Sequence, residues 1–162
     1  LGIGLDATVV SETELLNNVH GFMRYLTAVL RTLLLRFHAP QLTASFDGET
    51  MSQHTLFLAM GVGPRGGGGF LLTPDANQFD NKIACCMVDG IGRLRAMTML
   101  GRAIRGTHVT APFVKTRQSE IIQITAAAGL PIHIDGEIFA YPEDNVRVVT
   151  IRSIPAAIEV IV

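Results

Sequence analysis

The sequence predicts an α+β domain, mainly β, in which antiparallel sheet dominates. Short apolar runs, alternating or continuous, recur between Gly, Pro and Asp-Gly punctuation, as half-buried and buried strands do. Only two stretches carry apolar residues at helical spacing over more than ten positions. With 162 residues, 48% apolar and 17% charged, the chain has enough apolar side chains to build a core without disulfides or metal.

Taken in order, residues 2–10 read as a strand ending in Thr8-Val9-Val10. Ser11 follows as a candidate N-cap, with Glu12 and Glu14 suited to the positive end of a helix dipole. Leu15, Leu16, Val19, Phe22, Met23, Leu26, Val29, Leu30 and Leu33 predict a helix over much of 12–37, with Gly21 as a candidate interruption and Pro40 beyond its end. Leu42 to Phe46 alternates and leads into Asp47-Gly48, a hairpin turn. Thr55 to Met60 is a buried-type strand, and the glycine-rich stretch 61–69 must be a loop. Lys82 to Val88 predicts a further strand, and 91–105 a second helix with Leu94, Met97, Met99, Leu100 and Ile104 as its apolar side. Strands are expected at 112–116, 119–126, 132–134, 137–141, 145–152 and 157–162, with Asp135-Gly136 as a tight turn.

Composition removes several function classes. A net charge of −1 speaks against a nucleic-acid partner, which needs surplus Lys and Arg to neutralise phosphates. The one basic concentration, Arg93, Arg95, Arg102 and Arg105, reads as a solvated helix face. Cys85 and Cys86 are adjacent, so on a strand they point to opposite faces and stay unpaired, as in a reducing compartment. No segment reaches the roughly 18–20 unbroken apolar residues of a membrane span, and no signal peptide is recognisable. The chain opens inside an apolar, glycine-punctuated run, and it is expected to be a piece of a longer protein.

Three places could carry chemistry. The glycine run 66–69 could approach a phosphate, but it opens onto Phe70-Leu-Leu72, which reads as a strand, without a following Lys-Ser or Lys-Thr, and a tight connection between strands is the better reading. Asp75, Asp80 and the backbone carbonyls between them are hard oxygen donors close together on the loop 74–82, of the kind Mg²⁺ or Ca²⁺ takes, although from spacing alone a capped solvent loop is favoured. Glu137, just past the Asp135-Gly136 turn, could be presented at a sheet edge and accept a proton, although any hairpin can carry a Glu. His133, two residues before Asp135, is the histidine nearest to such a site.

The order of motifs goes further. Gly2-Ile-Gly-Leu-Asp6-Ala7, Phe46-Asp-Gly48, Gly63-Pro-Arg-Gly-Gly-Gly-Gly-Phe70, Pro74-Asp-Ala76 with Asp80, Ile134-Asp-Gly-Glu137 and Ser153-Ile-Pro-Ala156 together resemble the bacterial diacylglycerol-kinase and related lipid-kinase family over essentially the whole chain. That resemblance implies an antiparallel β-sandwich with two inserted helices, the C-terminal domain of a two-domain enzyme. The partner would be the protein's own N-terminal nucleotide-binding domain, with a Gly-Gly-Asp-Gly-Thr motif that is absent here. It implies ATP and Mg²⁺ as cofactors, and a lipid hydroxyl of diacylglycerol or sphingoid type as phosphate acceptor. It also implies a cytoplasmic location with transient contact at the inner membrane surface, and it leaves a homodimer open.

Carried over by position, Glu137 would be the general base. Asp135 and Gly136 would lie with it beside the nucleotide phosphates. Asp6 would contact the lipid head group, and Asn77, Asp80 and Lys82 would hold the metal, Asn77 and Lys82 through backbone carbonyls. The first Asp-Gly-Glu, at 47–49, is assigned no catalysis. Two positions depart from the family pattern: Val62 stands where Asn is usual, and Phe79-Asp80-Asn81 where Asp-Asp-Gly or Asp-Gly is usual. A non-catalytic lipid-binding module of the same fold and an NAD kinase are the alternative readings.

Overall fold

The computed structural model describes residues 1–157. Nine strands and three α-helices are formed in it, all strand pairs being antiparallel. The elements are β1 (Gly2–Gly4), α1 (Leu5–Glu14), α2 (Gly21–Leu35), β2 (Gln41–Phe46), β3 (Glu49–Gly61), β4 (Ile83–Asp89), α3 (Arg93–Ile104), β5 (Val114–Ser119), β6 (Ile121–Ala126), β7 (Ile132–Ile134), β8 (Glu137–Ala140) and β9 (Val148–Arg152).

The long strand β3 belongs to two sheets. Its first half pairs with β2, which continues through β6 to β9. Its second half lies between β1 and β4, and the ladder extends to β7 and β8 on one side and β5 on the other. A bulge between Thr55 and Phe57 marks the changeover, where added twist turns one strand from one sheet into the other. Between the sheets lies a core of Ile3, Leu58, Met87 and Ile132 from one and Leu42, Phe46, Ile122 and Ile124 from the other. A second core, with Val9, Val29, Leu33, Leu56, Val88 and Met99, fills the space between the first sheet and the helices. Cys85 faces the first core and Cys86 the second, as alternation requires, and both thiols are free.

Several sequence expectations are corrected. The strand expected over 2–10 stops at Gly4, whose φ of 77° turns the chain into α1. The β-branched Thr8-Val9-Val10 is helical because Val9 and Val10 are buried from a helix, which outweighs their propensity. Ser11 is therefore no N-cap; its Oγ donates to the Thr8 carbonyl inside the helix (2.8 Å). The helix expected over 12–37 is divided between two helices, so the described residues hold three α-helices rather than two. Phe70–Leu72 forms no strand, only an isolated bridge between Gly66 and Phe70. Both Asp-Gly turns form as expected, with positive φ at Asp47, Gly48, Asp135 and Gly136. The strand expected at 157–162 falls, apart from residue 157, outside the described residues.

Candidate active site at the Asp6 junction

The switch from β1 to α1 places Asp6 in the first turn of a helix, 3% exposed. Its Oδ1 accepts a hydrogen bond from the Tyr25 hydroxyl (2.7 Å), and its Oδ2 lies 3.0 Å from His133 Nε2. The Gly136 backbone N–H points at His133 Nδ1 (3.4 Å), so the neutral tautomer with its proton on Nε2 satisfies both contacts. His133 thereby ties the Asp135-Gly136 turn to Asp6. Burial pushes the Tyr25 phenol well above its ordinary pKa, and the charge of Asp6 and the bond to it act in the same direction. Tyr25 is thus a fixed donor to a buried carboxylate.

Two spaces meet at this pair. On one side is an open cleft of about 610 Å³, lined by Asp6, Tyr25, His133, Asp135, Gly136, Arg65 and the backbone of the glycine loop. On the other is a cavity of about 90 Å³ inside the second core, lined almost wholly by apolar side chains including Val9, Val29, Leu33, Phe57, Met99 and Leu100. Asp6 and Tyr25 line both. A polar cleft and an apolar cavity that share Asp6 and Tyr25 match the two ends of an amphipathic molecule in kind, although the cavity as it stands is too small for a long chain. The glycine loop folds onto Tyr25, whose ring occupies the position a Gly67 side chain would need.

Among the residues singled out from sequence, Asp6, Asp135, Gly136 and His133 come together. Glu137 is exposed and pairs across the hairpin with Ile134, one residue out of step with His133, and it is not among the residues lining the cleft. The two Asp-Gly turns differ sharply. The Asp47 carboxylate is taken up by the backbone N–H groups of Glu120 and Ile121, the Ile121 bond being the main reason its pKa lies below the usual range, whereas Asp135 lines the cleft.

The metal loop stands apart. Asn77 Oδ1 accepts from the Phe79 N–H and Asp80 Oδ1 from the Lys82 N–H, while the Asn77 carbonyl accepts from Asp80 N–H (3.3 Å). The donors suit Mg²⁺ in kind, but the set Asn77, Asp80 and Lys82 supplies one carboxylate, and several of its oxygens are spent on the loop's own turns. Among the described residues no three His, Cys, Asp or Glu side chains are gathered as a metal cluster.

The sequence pattern singles out neither Tyr25 nor His108. The His108 ring lines the apolar cavity, its Nε2 lies 3.2 Å from the Leu72 carbonyl, and its Nδ1 is buried without a partner.

Comparison with known proteins gives this geometry a family. The model of the YegS C-terminal NAD kinase beta sandwich-like domain matches residues 1–162. The chain belongs to that family. It is 27% identical over 159 residues to the diacylglycerol kinase of Mycobacterium tuberculosis, strains CDC 1551 / Oshkosh and ATCC 25618 / H37Rv, a match covering 98% of this chain and 49% of the relative. The chain thus spans about half the length of those relatives. Two solved structures from Bacillus anthracis strain Sterne share the fold. One, named a diacylglycerol kinase, matches with a TM-score of 0.59 and 14% identity over 97% of this chain and 52% of that one. The other has a TM-score of 0.64 and 16% identity, over 97% and 52%. Among the described residues the domain is mainly antiparallel β-sheet, as the sequence pattern predicts, and the curated relatives it resembles are named diacylglycerol kinase.

Proposed function

We propose that this domain is the lipid-side half of an ATP-dependent kinase that phosphorylates the hydroxyl of a diacylglycerol-like or sphingoid lipid. The single observation that carries the reading is the Asp6–Tyr25 pair at the boundary between a polar cleft and an apolar cavity. A wholly polar acceptor such as a dinucleotide would leave that cavity unused, which ranks an NAD kinase lower.

In this reading the lipid head lies against Asp6 and the chain enters beside Val9 and Leu33. The acceptor oxygen bonds to the γ-phosphorus of ATP, the bond to the β–γ bridging oxygen breaks, ADP leaves, and the hydroxyl proton passes to a carboxylate of the Asp135-Gly136-Glu137 turn. Glu137 is the proposed acceptor of that proton, which requires the hairpin tip to turn it inward; Asp135, already lining the cleft, is the neighbouring candidate. ATP supplies the phosphoryl group and would lie in the cleft, where Arg65 and the glycine-loop backbone offer donors. A second, N-terminal domain would complete the nucleotide site. Mg²⁺ would take Asp80 together with the carbonyls of Asn77 and Lys82, and no step is assigned to it. Among the described residues no helix is long and apolar enough to cross a membrane, and the proposed location is cytoplasmic, peripheral at the inner membrane surface.

The test is phosphate transfer from radiolabelled ATP to a panel of lipids by the full-length protein. Glu137→Gln should lower turnover by about 10²- to 10⁴-fold with unchanged melting. Full activity in that variant, with loss in Asp135→Asn, would move the role to Asp135. Label entering no lipid at all would leave a non-catalytic lipid-binding module as the better description.

A further inference from the structure

Between Gly90 and Ser119 the chain carries six Lys and Arg and no Asp or Glu, although its net charge is −1. Helix α3 occupies the first half of this stretch and has two apolar faces. Ala96, Met99, Leu100 and Ala103 line the cavity. Leu94, Met97 and Ile104, spaced for the other side of the helix, are 82%, 36% and 40% exposed. Arginines border that exposed stripe. Arg93 lies over the Phe37 ring (5.5 Å) and Arg95 over the Phe113 ring (5.8 Å), fixing their stems along the flanks of the helix, and Arg105 is exposed at its end.

We infer that the outer face of α3 docks the protein on an anionic lipid bilayer, directly above the cavity that the inner face of the same helix helps to enclose. This rests on the lipid reading proposed above and names the surface through which the lipid arrives. An apolar stripe edged by arginines, with no carboxylate in the surrounding thirty residues, complements negatively charged head groups. The same face on a second copy would meet it with like charge. At about 90 Å³ the cavity is smaller than the roughly 150 Å³ void that holds one benzene, so a long chain enters only if the covering helices shift. Docking by α3 places one of those helices at the membrane where that shift is needed.

The experiment is sedimentation of the full-length protein with phosphatidylcholine vesicles, with and without about one-third phosphatidylglycerol. Two variants are compared with wild type, Arg93→Glu/Arg105→Glu and Leu94→Asn/Met97→Asn. All four side chains are exposed and none lines the cavity or cleft. Wild type should prefer the anionic vesicles, and the charge variant should bind them about 10- to 30-fold more weakly, with unchanged melting and unchanged turnover of a short-chain, monomerically dissolved lipid. Vesicle binding indifferent to anionic lipid, or unaltered in both variants because the rest of the protein covers this face, overturns the inference. Absence of lipid turnover by wild type would instead count against the kinase reading, and the vesicle result stands apart from it.

Discussion

Asp6 and His133 are 127 residues apart in the chain and 3.0 Å apart in space, and a glycine lets them meet. β1 pairs with β7 so that Gly2 lies opposite His133, and α1 folds back so that Asp6 reaches the same point. A Cβ on Gly2 would overlap both the Asp6 carboxylate and the His133 ring. Gly2→Ala should therefore separate the pair. It is expected to destabilise by about 1–3 kcal/mol, the cost of disturbing a buried, hydrogen-bonded carboxylate, and to abolish lipid phosphorylation. Urea denaturation gives the first quantity, and a midpoint equal to wild type would show that the close approach is not what holds Asp6.

Stability should fall on both sides of neutrality, for different groups. Burial lowers the pKa of His108, with Arg102 adding to the effect and the Leu72 carbonyl opposing it. The unfolded chain then binds a proton near pH 6.5 that the folded one refuses, so stability is complete above that value and is lost as pH falls below it. Burial pushes the Cys86 thiol up to about 12, and it raises Cys85 and Tyr25 above their ordinary values as well. Their unfolded counterparts ionise from about pH 8.5–10, so stability declines again there. Each uncompensated proton gives a slope of about 1.4 kcal/mol per pH unit. Urea midpoints between pH 5 and 10 check this, and His108→Phe should flatten only the acid limb.

How much of this was legible in the sequence depended on how local the cause was. Asp47-Gly48 and Asp135-Gly136 form turns because their own backbone preferences suffice, and Cys85 and Cys86 part because a strand alternates. The motif order carried Asp6, Asp135 and Gly136 to one cleft. Helix α1 was misread because Thr8-Val9-Val10 favours a strand locally, and only the sheet–helix packing beyond Gly4 decides otherwise. Nothing local marks Tyr25, since its partner Asp6 is supplied by tertiary structure 19 positions away. His133 stands out in sequence only as a near neighbour of Asp135, with ordinary packing as its default, and its bond to Asp6 depends on the β1–β7 register.

Glu12 is only 2% exposed in α1, with Arg31 Nε at 3.1 Å and Arg36 Nε at 2.9 Å. Because α1 carries Asp6 and α2 carries Tyr25, this clasp also positions the site. Replacing Glu12 by Ala leaves two arginines that are about half exposed and stay solvated. The loss should thus be about 1–2 kcal/mol, short of the 3–5 kcal/mol of a stranded buried charge. A larger drop in the urea midpoint would mean that the arginines are less solvated than their exposure indicates.

The cavity offers the sharpest separation of folding from function. Ala96 is buried on the inner face of α3 and lines the empty space, so Ala96→Leu adds three carbons where there is room for them. Filling a void restores lost dispersion contacts, and Leu keeps the helix propensity of the site nearly unchanged. The variant should melt at or slightly above wild type, by up to about 1 kcal/mol. If lipid chains enter beside Val9 and Leu33, the same change blocks them, and phosphorylation of long-chain lipids should fall by at least tenfold while short-chain lipids are spared. Equal turnover of long and short chains in a well-folded Ala96→Leu protein would place the chain-binding surface elsewhere, because a space occupied by leucine cannot also admit an acyl tail.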